Sequence, residues 1–191
     1  MSRPELEEIL IADPPGAWEA LGFTVEDEAI SLGGVCIRLG APGSGIVGLK
    51  LRGLEGGDDL DGLPMTGAAA APPPPSSAMH PIGATAIDHV VALTPDLDRT
   101  AGKLIAAGFD HRASRGHQAF FVIGPCLLEL VARAGEQPRF WGLTLVVEDI
   151  DAAAQRTGAK PPKQAVQPGR RIATVTRQAG LSTPLALMTP R

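Results

Sequence analysis

The stretch from Ala86 to Ala132, AIDHVVALTPDLDRTAGKLIAAGFDHRASRGHQAFFVIGPCLLELVA, decides the fold. It opens with an apolar, β-branched run at 87–93 that is typical of a strand. Thr94 as N-cap and Pro95 at the first helical position predict that a helix begins there. Gly108 is placed to end that helix in a left-handed conformation.

Two or three strands follow the helix, with clear apolar runs at 117–123 and 126–132. Gly124 and Pro125 separate these runs and are typical of a turn. The order of elements is strand, helix and then strands, which predicts a βαβββ unit.

Two side chains of this unit stand out from their apolar surroundings. Side chains alternate across a strand, so Glu129 shares a face with Leu127 and Val131. A buried carboxylate needs a partner, because burying it unpaired is costly. On the first strand His89 shares a face with Val91. If the two faces meet, His89 and Glu129 form a hydrogen-bonded pair or hold a divalent metal; otherwise Glu129 lies at the edge of a cleft.

Length and composition indicate a soluble chain with one large or two small domains. The chain has 191 residues, of which 44% are hydrophobic, and no apolar run reaches the roughly 20 residues that a membrane span needs. Residues 1–8 are acidic where a signal peptide would be basic and then apolar, so we expect a cytoplasmic protein. Cys36 and Cys126 lie in apolar strand-like runs and are expected to be buried thiols.

Charge is distributed unevenly along the chain. The net charge is −4, yet no acidic residue follows Asp151, whereas basic residues continue to the end. This basic end could attract an anionic small molecule or neutralise the acidic part of the same fold, and we favour the second interpretation. Basic and aromatic residues are not interleaved, so we expect no nucleic-acid partner.

Residues 1–55 are predicted to form an N-terminal βαβββ-like unit. It contains no histidine: Glu8 falls near the position of His89, and Leu49 or Lys50 falls near that of Glu129. Its predicted elements are strands at 6–12, 25–32, 35–39 and 46–51 and a short helix at 17–21.

Residues 56–85 are predicted to be a linker. Runs of alanine and proline with two serines dominate it, and such a composition has no means of packing a core. His80, at its far end, is expected to be solvated or locally hydrogen-bonded rather than a ligand.

Residues 136–191 are predicted to form a third unit that repeats the central unit, 86–135. The segment 93–98 reappears at 146–151, which preserves the junction between strand and helix. The third unit offers no metal ligand at the matching places, because His89 corresponds to Gly142 and Glu129 to a position among 185–187. Its predicted elements are a helix at 150–156 that ends at Gly158 and strands at 171–176 and 184–188.

The tandem βαβββ units, one of them opened by Ile87-Asp88-His89-Val90-Val91 and closed by Leu127-Leu128-Glu129-Leu130-Val131, resemble the vicinal oxygen chelate superfamily. This superfamily includes glyoxalase I, extradiol dioxygenases, fosfomycin-resistance proteins and bleomycin-binding proteins. The resemblance is good over 86–191 and weaker over 5–54. It implies an α+β fold in which mixed sheets curl around a cavity with helices on the outer face. Residues 86–191 together would then form one glyoxalase-like domain.

The resemblance also implies a metal site. Active members bind a divalent metal through a residue on the first strand and a glutamate on the last strand of each unit. His89 and Glu129 match one such pair, with Zn, Fe, Mn or Ni as the expected ion and Glu129 as the catalytic base. The second pair is missing at Gly142 and Ala186, which leaves two protein ligands unless His117, the other unit, another chain or the substrate contributes.

Four further residues are candidates for contacting a ligand in the cavity. Gln118 lies on a central strand, and Trp141, beside the missing ligand position, could stack on a planar molecule. Arg170 and Arg171, at a junction between loop and strand, are suited to clamping a carboxylate or phosphate. Their alternative interpretation is a solvated face.

Three functions are compatible with these residues. The first is a metal-dependent lyase, isomerase or dioxygenase acting on a substrate with vicinal oxygens. The second is a metal-free small-molecule binding protein of the antibiotic-resistance kind. The third is a protein with a vestigial cavity that serves in assembly. Since three units are an odd number for a fold built by pairing, we also predict a homodimer in which the N-terminal units pair.

Overall fold

The computed structural model describes residues 3–54, 60–68, 79–135 and 137–191, and its strands form two mixed sheets with short helices. The predicted α+β class with tandem βαβββ units is confirmed. The elements in chain order are β1 (Glu5–Ile11), α1 (Pro15–Ala20), β2 (Ala29–Leu32), β3 (Val35–Arg38), β4 (Ile46–Arg52), β5 (Met65–Gly67), β6 (Ala84–Thr94), α2 (Leu97–Ala106), β7 (Asp110–Arg115), β8 (Gln118–Ile123), β9 (Cys126–Ala132), β10 (Arg139–Val147), α3 (Ile150–Thr157), β11 (Lys163–Gln164), β12 (Arg171–Thr174) and β13 (Leu185–Met188).

The eight-stranded sheet consists of two βαβββ units. Its strand order is β11-β12-β13-β10-β6-β9-β8-β7. In each unit the first strand pairs in parallel with the last, β6 with β9 and β10 with β13, and the two first strands pair antiparallel with each other. Val90, Ala92, Leu128 and Leu130 of one face are completely buried. The opposite face, which carries His89, is the inner face of the curl.

Helix α2 begins two residues later than the sequence predicts. Thr94 still belongs to β6, and its completely buried hydroxyl bonds the hydroxyl of Thr100. The N-cap is Asp96, whose side chain accepts a hydrogen bond from the backbone N–H of Arg99. The prediction of Thr94 as N-cap is wrong because its hydroxyl accepts from the backbone N–H of Asp96, one residue before the helix, whereas Asp96 accepts from an N–H inside the helix.

The five-stranded N-terminal sheet is a shortened version of the larger sheet. Its order is β2-β3-β1-β4-β5, with β1 parallel to β3, β4 antiparallel to β1, and β5 parallel to β4. Strand β4 therefore pairs with β1 in the same antiparallel way as β10 pairs with β6. The expected correspondence of Leu49 or Lys50 with Glu129 is therefore wrong, since β4 begins a second half that β5 completes.

Part of the segment predicted to be a linker is ordered. Met65–Gly67 forms β5, and Leu60 and Leu63 before it are buried. The expectation that His80 is solvated or locally bonded is wrong: it is buried, and its Nδ1 accepts from the backbone N–H of Thr24 in the N-terminal unit at 3.2 Å. The alanine- and proline-rich stretch at 69–78 lies outside the described residues.

The N-terminal sheet packs against the rest of the same chain. Buried apolar side chains from Leu6 to Leu187 form one continuous cluster. Asp13, in the loop after β1, accepts hydrogen bonds from the backbone N–H and the hydroxyl of Ser182, each at 2.6 Å. The reason for expecting a homodimer, an unpaired N-terminal unit, therefore does not hold, although the dimer itself stays a prediction.

Helices are short throughout the described ranges. The longest, α2, has ten residues. None of the described helices is long and apolar enough to cross a membrane.

Candidate functional site

The curled eight-stranded sheet encloses a cavity of about 510 Å³ between its two units. Its walls are largely apolar, with Val91 and Leu93 from β6 and Val131 from β9 among the side chains that line it. His89, Gln118 and Glu129 contribute polar groups to the same surface. Such a mixture of apolar walls and a few convergent polar groups is typical of small-molecule sites.

His89 and Glu129 meet at this cavity. Strands β6 and β9 run in parallel with Val91 opposite Glu129, so the two residues project from neighbouring strands onto one face. His89 Nε2 lies 3.3 Å from Glu129 Oε2, and each side chain is 14% exposed. Gln118 Nε2 donates to the other Glu129 oxygen at 2.5 Å. The convergence expected from the alternation of side chains is thus present.

Thr144 completes the surroundings of the imidazole. It lies on β10 directly opposite His89 and is 4% exposed. Its hydroxyl is 2.9 Å from His89 Nε2. The cavity nitrogen of His89 therefore has both a hydroxyl and a carboxylate within reach.

Asp88 binds the other nitrogen of the ring. Its Oδ2 lies 2.8 Å from His89 Nδ1, although neighbouring residues of a regular strand point to opposite faces. The pairing of β6 with β10 explains the contact: Thr144 pairs with His89 but Leu145 pairs with Ile87, so Asp88 sits at a β-bulge. Bulges bend a strand and re-aim its side chains.

Asp88 is held in its ionised form. Burial raises the pKa of this carboxyl, but the hydrogen bonds from His89 and from Arg170 outweigh burial, so its pKa lies below the ordinary value. Arg170 Nη1 donates to Asp88 Oδ1 at 2.6 Å. An ionised carboxylate can only accept, so Nδ1 of His89 carries a hydrogen and Nε2 is the nitrogen presented to the cavity.

The second unit lacks the equivalent pair, as the sequence predicts. Ala186 pairs with Thr144 as Glu129 pairs with Val91, which makes Ala186 the counterpart of Glu129 and Gly142 the counterpart of His89. A Cβ at Gly142 would lie 2.9 Å from the carbonyl oxygen of Pro184. There is accordingly no room for a metal-binding side chain at that position.

The residues at the cavity do not complete a site for a catalytic metal. Within the described residues, no group of three or more His, Cys, Asp or Glu side chains is placed to hold an ion. His89 and Glu129 would supply two ligands, while Gln118 and Thr144 offer only neutral oxygens. Catalytic zinc ordinarily has three protein ligands. Metal binding by His89 and Glu129 stays a prediction.

Two of the four additional candidates lie at the cavity and two do not. Gln118 and Trp141 line it, and Trp141 is 44% exposed. Arg170 and Arg171 do not line it. Arg170 is buried against Asp88, and Arg171 forms an exposed ion pair with Asp151 at 2.7 Å. Both arginines neutralise acids of the same chain, which is the interpretation favoured for the basic end.

Three residues at or behind the cavity are not indicated by the sequence pattern. Asp88 is missed because a regular strand would turn it away from His89, and Thr144 because its place opposite His89 depends on strand register. The carboxylate directly before His89 was the available signal for Asp88. Arg133 lines the cavity too, and strand alternation gives no signal for it, because β9 ends at Ala132.

Comparison with known proteins gives similarities of structure only. No protein-family profile matches the chain, and no curated protein matches it in sequence. A methylmalonyl-CoA epimerase from Mycobacterium tuberculosis is 16% identical, with 61% of this chain and 92% of that chain covered and a TM-score of 0.45.

Two further solved structures are similar to a comparable extent. A methylmalonyl-CoA epimerase variant from Streptomyces coelicolor is 20% identical over 56% of this chain and 94% of that one, with a TM-score of 0.43. A hypothetical protein from Bacillus halodurans is 12% identical over 55% of this chain and 94% of that one, with a TM-score of 0.44.

The strand order of the eight-stranded sheet is itself informative. Two βαβββ units joined along their first strands curl around a cavity that lies between them. In fold, residues 84–188 therefore resemble the vicinal oxygen chelate superfamily, as the sequence predicts.

Proposed function

We propose that this protein is an enzyme that binds a small molecule in the cavity and moves a proton on it, as an isomerase or lyase does. The observation that supports this proposal is the placement of His89 Nε2 at 3.3 Å from a Glu129 carboxylate oxygen, on the cavity surface, with Asp88 on the opposite ring nitrogen. A base and an acid that face the same small volume can act on one substrate atom.

The roles of the side chains follow from their hydrogen bonds. Asp88 keeps the hydrogen on Nδ1, which leaves Nε2 of His89 able to accept a proton from a carbon next to a carbonyl group. In an isomerase the enolate takes the proton back from the same side at a neighbouring carbon, so no atom is gained or lost. In a lyase it expels a leaving group from that neighbouring carbon instead, and the proton stays on the base. Glu129, fixed by Gln118, either removes the first proton or returns it, and Thr144 orients the ring.

The cavity lining restricts the class of substrate. Apolar walls favour a molecule with a hydrocarbon part, and Trp141 offers a ring face for stacking. Arg133 lines the same cavity and is exposed just beyond the end of β9, four residues after Glu129. A guanidinium at this position suits a carboxylate or phosphate remote from the reacting carbon.

Exchange of substrate hydrogen with the solvent tests the proposal, because it does not require the product to be identified. The protein is incubated in heavy water with short-chain 2-oxo and 2-hydroxy carboxylates and with their phosphate analogues, and deuterium incorporation is followed by NMR. We expect exchange at the carbon beside the carbonyl group of at least one compound, and its loss in both H89Q and E129Q. R171M, which changes an exposed arginine outside the cavity, should exchange as the wild type does.

Metal analysis of protein purified without chelator separates the proposal from the metal-dependent alternative. We expect less than stoichiometric metal. A stoichiometric ion that is lost in both H89A and E129A would overturn the metal-free version and favour a metal-dependent lyase, isomerase or dioxygenase.

A second candidate is a binding protein without catalysis, which the exposed face of Trp141 at an apolar cavity favours. It predicts a thermal shift with planar or anionic compounds and no deuterium exchange. Loss of that thermal shift in W141A, with exchange absent throughout, would favour this candidate over the enzyme.

A further inference from the structure

We propose that Arg170 is a positioning residue for His89 and acts on it through Asp88. The inference rests on the proposed function only in taking His89 as the group that faces the ligand. Arg170 itself does not line the cavity and is not among the side chains that a bound molecule would touch.

Arg170 is fixed in place by several hydrogen bonds. Its Nε donates to the backbone carbonyl of Thr189 at 2.8 Å, and its Nη1 donates to Gln167 Oε1 at 2.6 Å. The same Nη1 donates to Asp88 Oδ1 at 2.6 Å. The residue is 4% exposed. A guanidinium anchored to Thr189, just beyond the end of β13, therefore determines where the Asp88 carboxylate lies.

The second oxygen of that carboxylate determines the state of the imidazole. Asp88 Oδ2 lies 2.8 Å from His89 Nδ1, and Thr144 and Glu129 lie on the Nε2 side. The arrangement runs from guanidinium to carboxylate to imidazole to cavity. Asp88 binds Arg170 with one carboxylate oxygen and His89 with the other, and His89 turns its second nitrogen to the cavity. A displaced guanidinium would therefore displace the carboxylate and, with it, the ring.

Stability alone does not account for this buried pair. Burying an ion pair ordinarily contributes little or nothing to stability relative to well-packed apolar side chains, because desolvation offsets the attraction. The Nη2 of Arg170 is moreover buried without a hydrogen-bond partner among the described residues, which adds a further penalty. A positioning role for the imidazole gives a reason for an arrangement that packing would not favour.

The test reads the tautomer of His89 directly, by two-bond ¹H–¹⁵N NMR of the full chain labelled in histidine. The four histidines make this feasible, since each signal is assigned by the loss that its own His→Gln variant causes. In the wild type we expect the ring hydrogen of His89 to lie on Nδ1. In R170M we expect a several-fold larger fraction of the tautomer that carries the hydrogen on Nε2, and broadened signals from ring motion.

The neighbouring arginine provides the matched control. R171M removes the same charge from the same strand terminus, but Arg171 pairs with exposed Asp151, so His89 should keep its wild-type signals. R170K retains the charge without the planar, several-donor geometry, and should restore part of the wild-type pattern. D88N should change His89 as R170M does, and the double variant should change it no further than D88N alone.

Two results would overturn the proposal. One is an unchanged His89 signal in R170M where D88N alters it, which would make Arg170 a stabilising residue only. The other is an equal change in R170M and R171M, which would indicate a general charge effect. If R170M does not fold, R170K decides: signals identical to the wild type would contradict the need for the guanidinium geometry. The NMR spectrum is recorded without substrate. Failure of the proposed enzyme activity and failure of the role of Arg170 can therefore be distinguished.

Discussion

Gly142 shows how one missing Cβ constrains the chemistry of the cavity. A Cβ there would lie 2.9 Å from the backbone oxygen of Pro184, closer than real side chains approach. We therefore expect G142H to lose about 1–3 kcal/mol of unfolding free energy through overpacking, and to bind no additional metal. Chemical denaturation and metal analysis of the variant check this.

Gly102 provides the contrasting glycine. It lies inside α2, and nothing is within 4 Å of a Cβ built on it. G102A should gain about 0.5–1 kcal/mol, because alanine is the better helix former. A gain in G142H would contradict the close approach at Gly142, and a loss in G102A would contradict the open space at Gly102.

The carboxyl of Asp88 predicts a dependence of stability on pH. Its pKa is below the ordinary value because the hydrogen bonds from His89 and Arg170 outweigh the effect of burial. A lowered pKa means that the stabilisation is fully present above the unfolded-state pKa of about 3.9 and is lost as the pH falls through the folded-state pKa.

Denaturation of wild type and D88N from pH 7 to pH 2 should therefore give free energies that differ most above about pH 5 and converge in acid. D98N is the control, because Asp98 is an exposed carboxylate in the first turn of α2. A gap between wild type and D88N that stays constant in acid would contradict the expectation.

The site was predictable at the residue scale where a regular strand sufficed. Alternation gave the strand face of Glu129 and of His89, their convergence was predicted if those two faces meet, and the structure has them 3.3 Å apart. Asp88 could not be predicted, because its contact with His89 depends on a bulge that exists only in the pairing of β6 with β10. Arg170 was predicted for the wrong surface, since nothing local to its sequence indicates that Asp88 is its partner.

At the element scale, the start of helix α2 gives a prediction. The cap is Asp96, which accepts from the N–H of Arg99 at 3.0 Å, and not Thr94. D96A should lower the unfolding free energy by about 1 kcal/mol, because a helix N–H loses its acceptor. D98A, which removes a charge from the same first turn without removing a cap, should cost less. Urea denaturation of both variants measures the difference, and equal losses would contradict the assignment.

The bounds of helices and strands were easier to predict than the pairing of the strands. Apolar runs bounded by glycine and proline gave the bounds of β9 and α3 to within a residue or two, because these signals are local. The order of the N-terminal sheet was not predictable from 46–51, since the same apolar run is compatible with closing one unit or opening another. Only pairing with β1, antiparallel, and with β5, parallel, decides between them.

At the scale of the whole molecule, the two sheets share one buried apolar cluster. The N-terminal sheet is thus covered by the chain itself, and a homodimer would need some other surface. Light scattering in solution distinguishes the monomer from the predicted dimer, since one chain has a mass of 19.8 kDa and the dimer twice that.

Asp13 links the two sheets beside the cavity and gives the sharpest prediction for the molecule as a whole. Its carboxylate is 2% exposed and accepts hydrogen bonds from the backbone N–H groups of Ser182 and Thr183 and from the Ser182 hydroxyl. Pro184, two residues beyond Ser182, lines the cavity. D13A leaves buried donors without an acceptor and should cost about 2–4 kcal/mol, whereas E19A, at an exposed site of the same N-terminal unit, should cost little.

The two tryptophans report on the two sheets separately. Trp18 is fully buried in the N-terminal part and Trp141 lies at the cavity, so W141F and W18F each leave one probe. Because the apolar cluster is continuous, both probes should follow one guanidinium transition, and D13A should lower the midpoint of both equally. If D13A shifted only the Trp18 transition, the sheets would unfold independently and Asp13 would not couple the N-terminal sheet to the cavity.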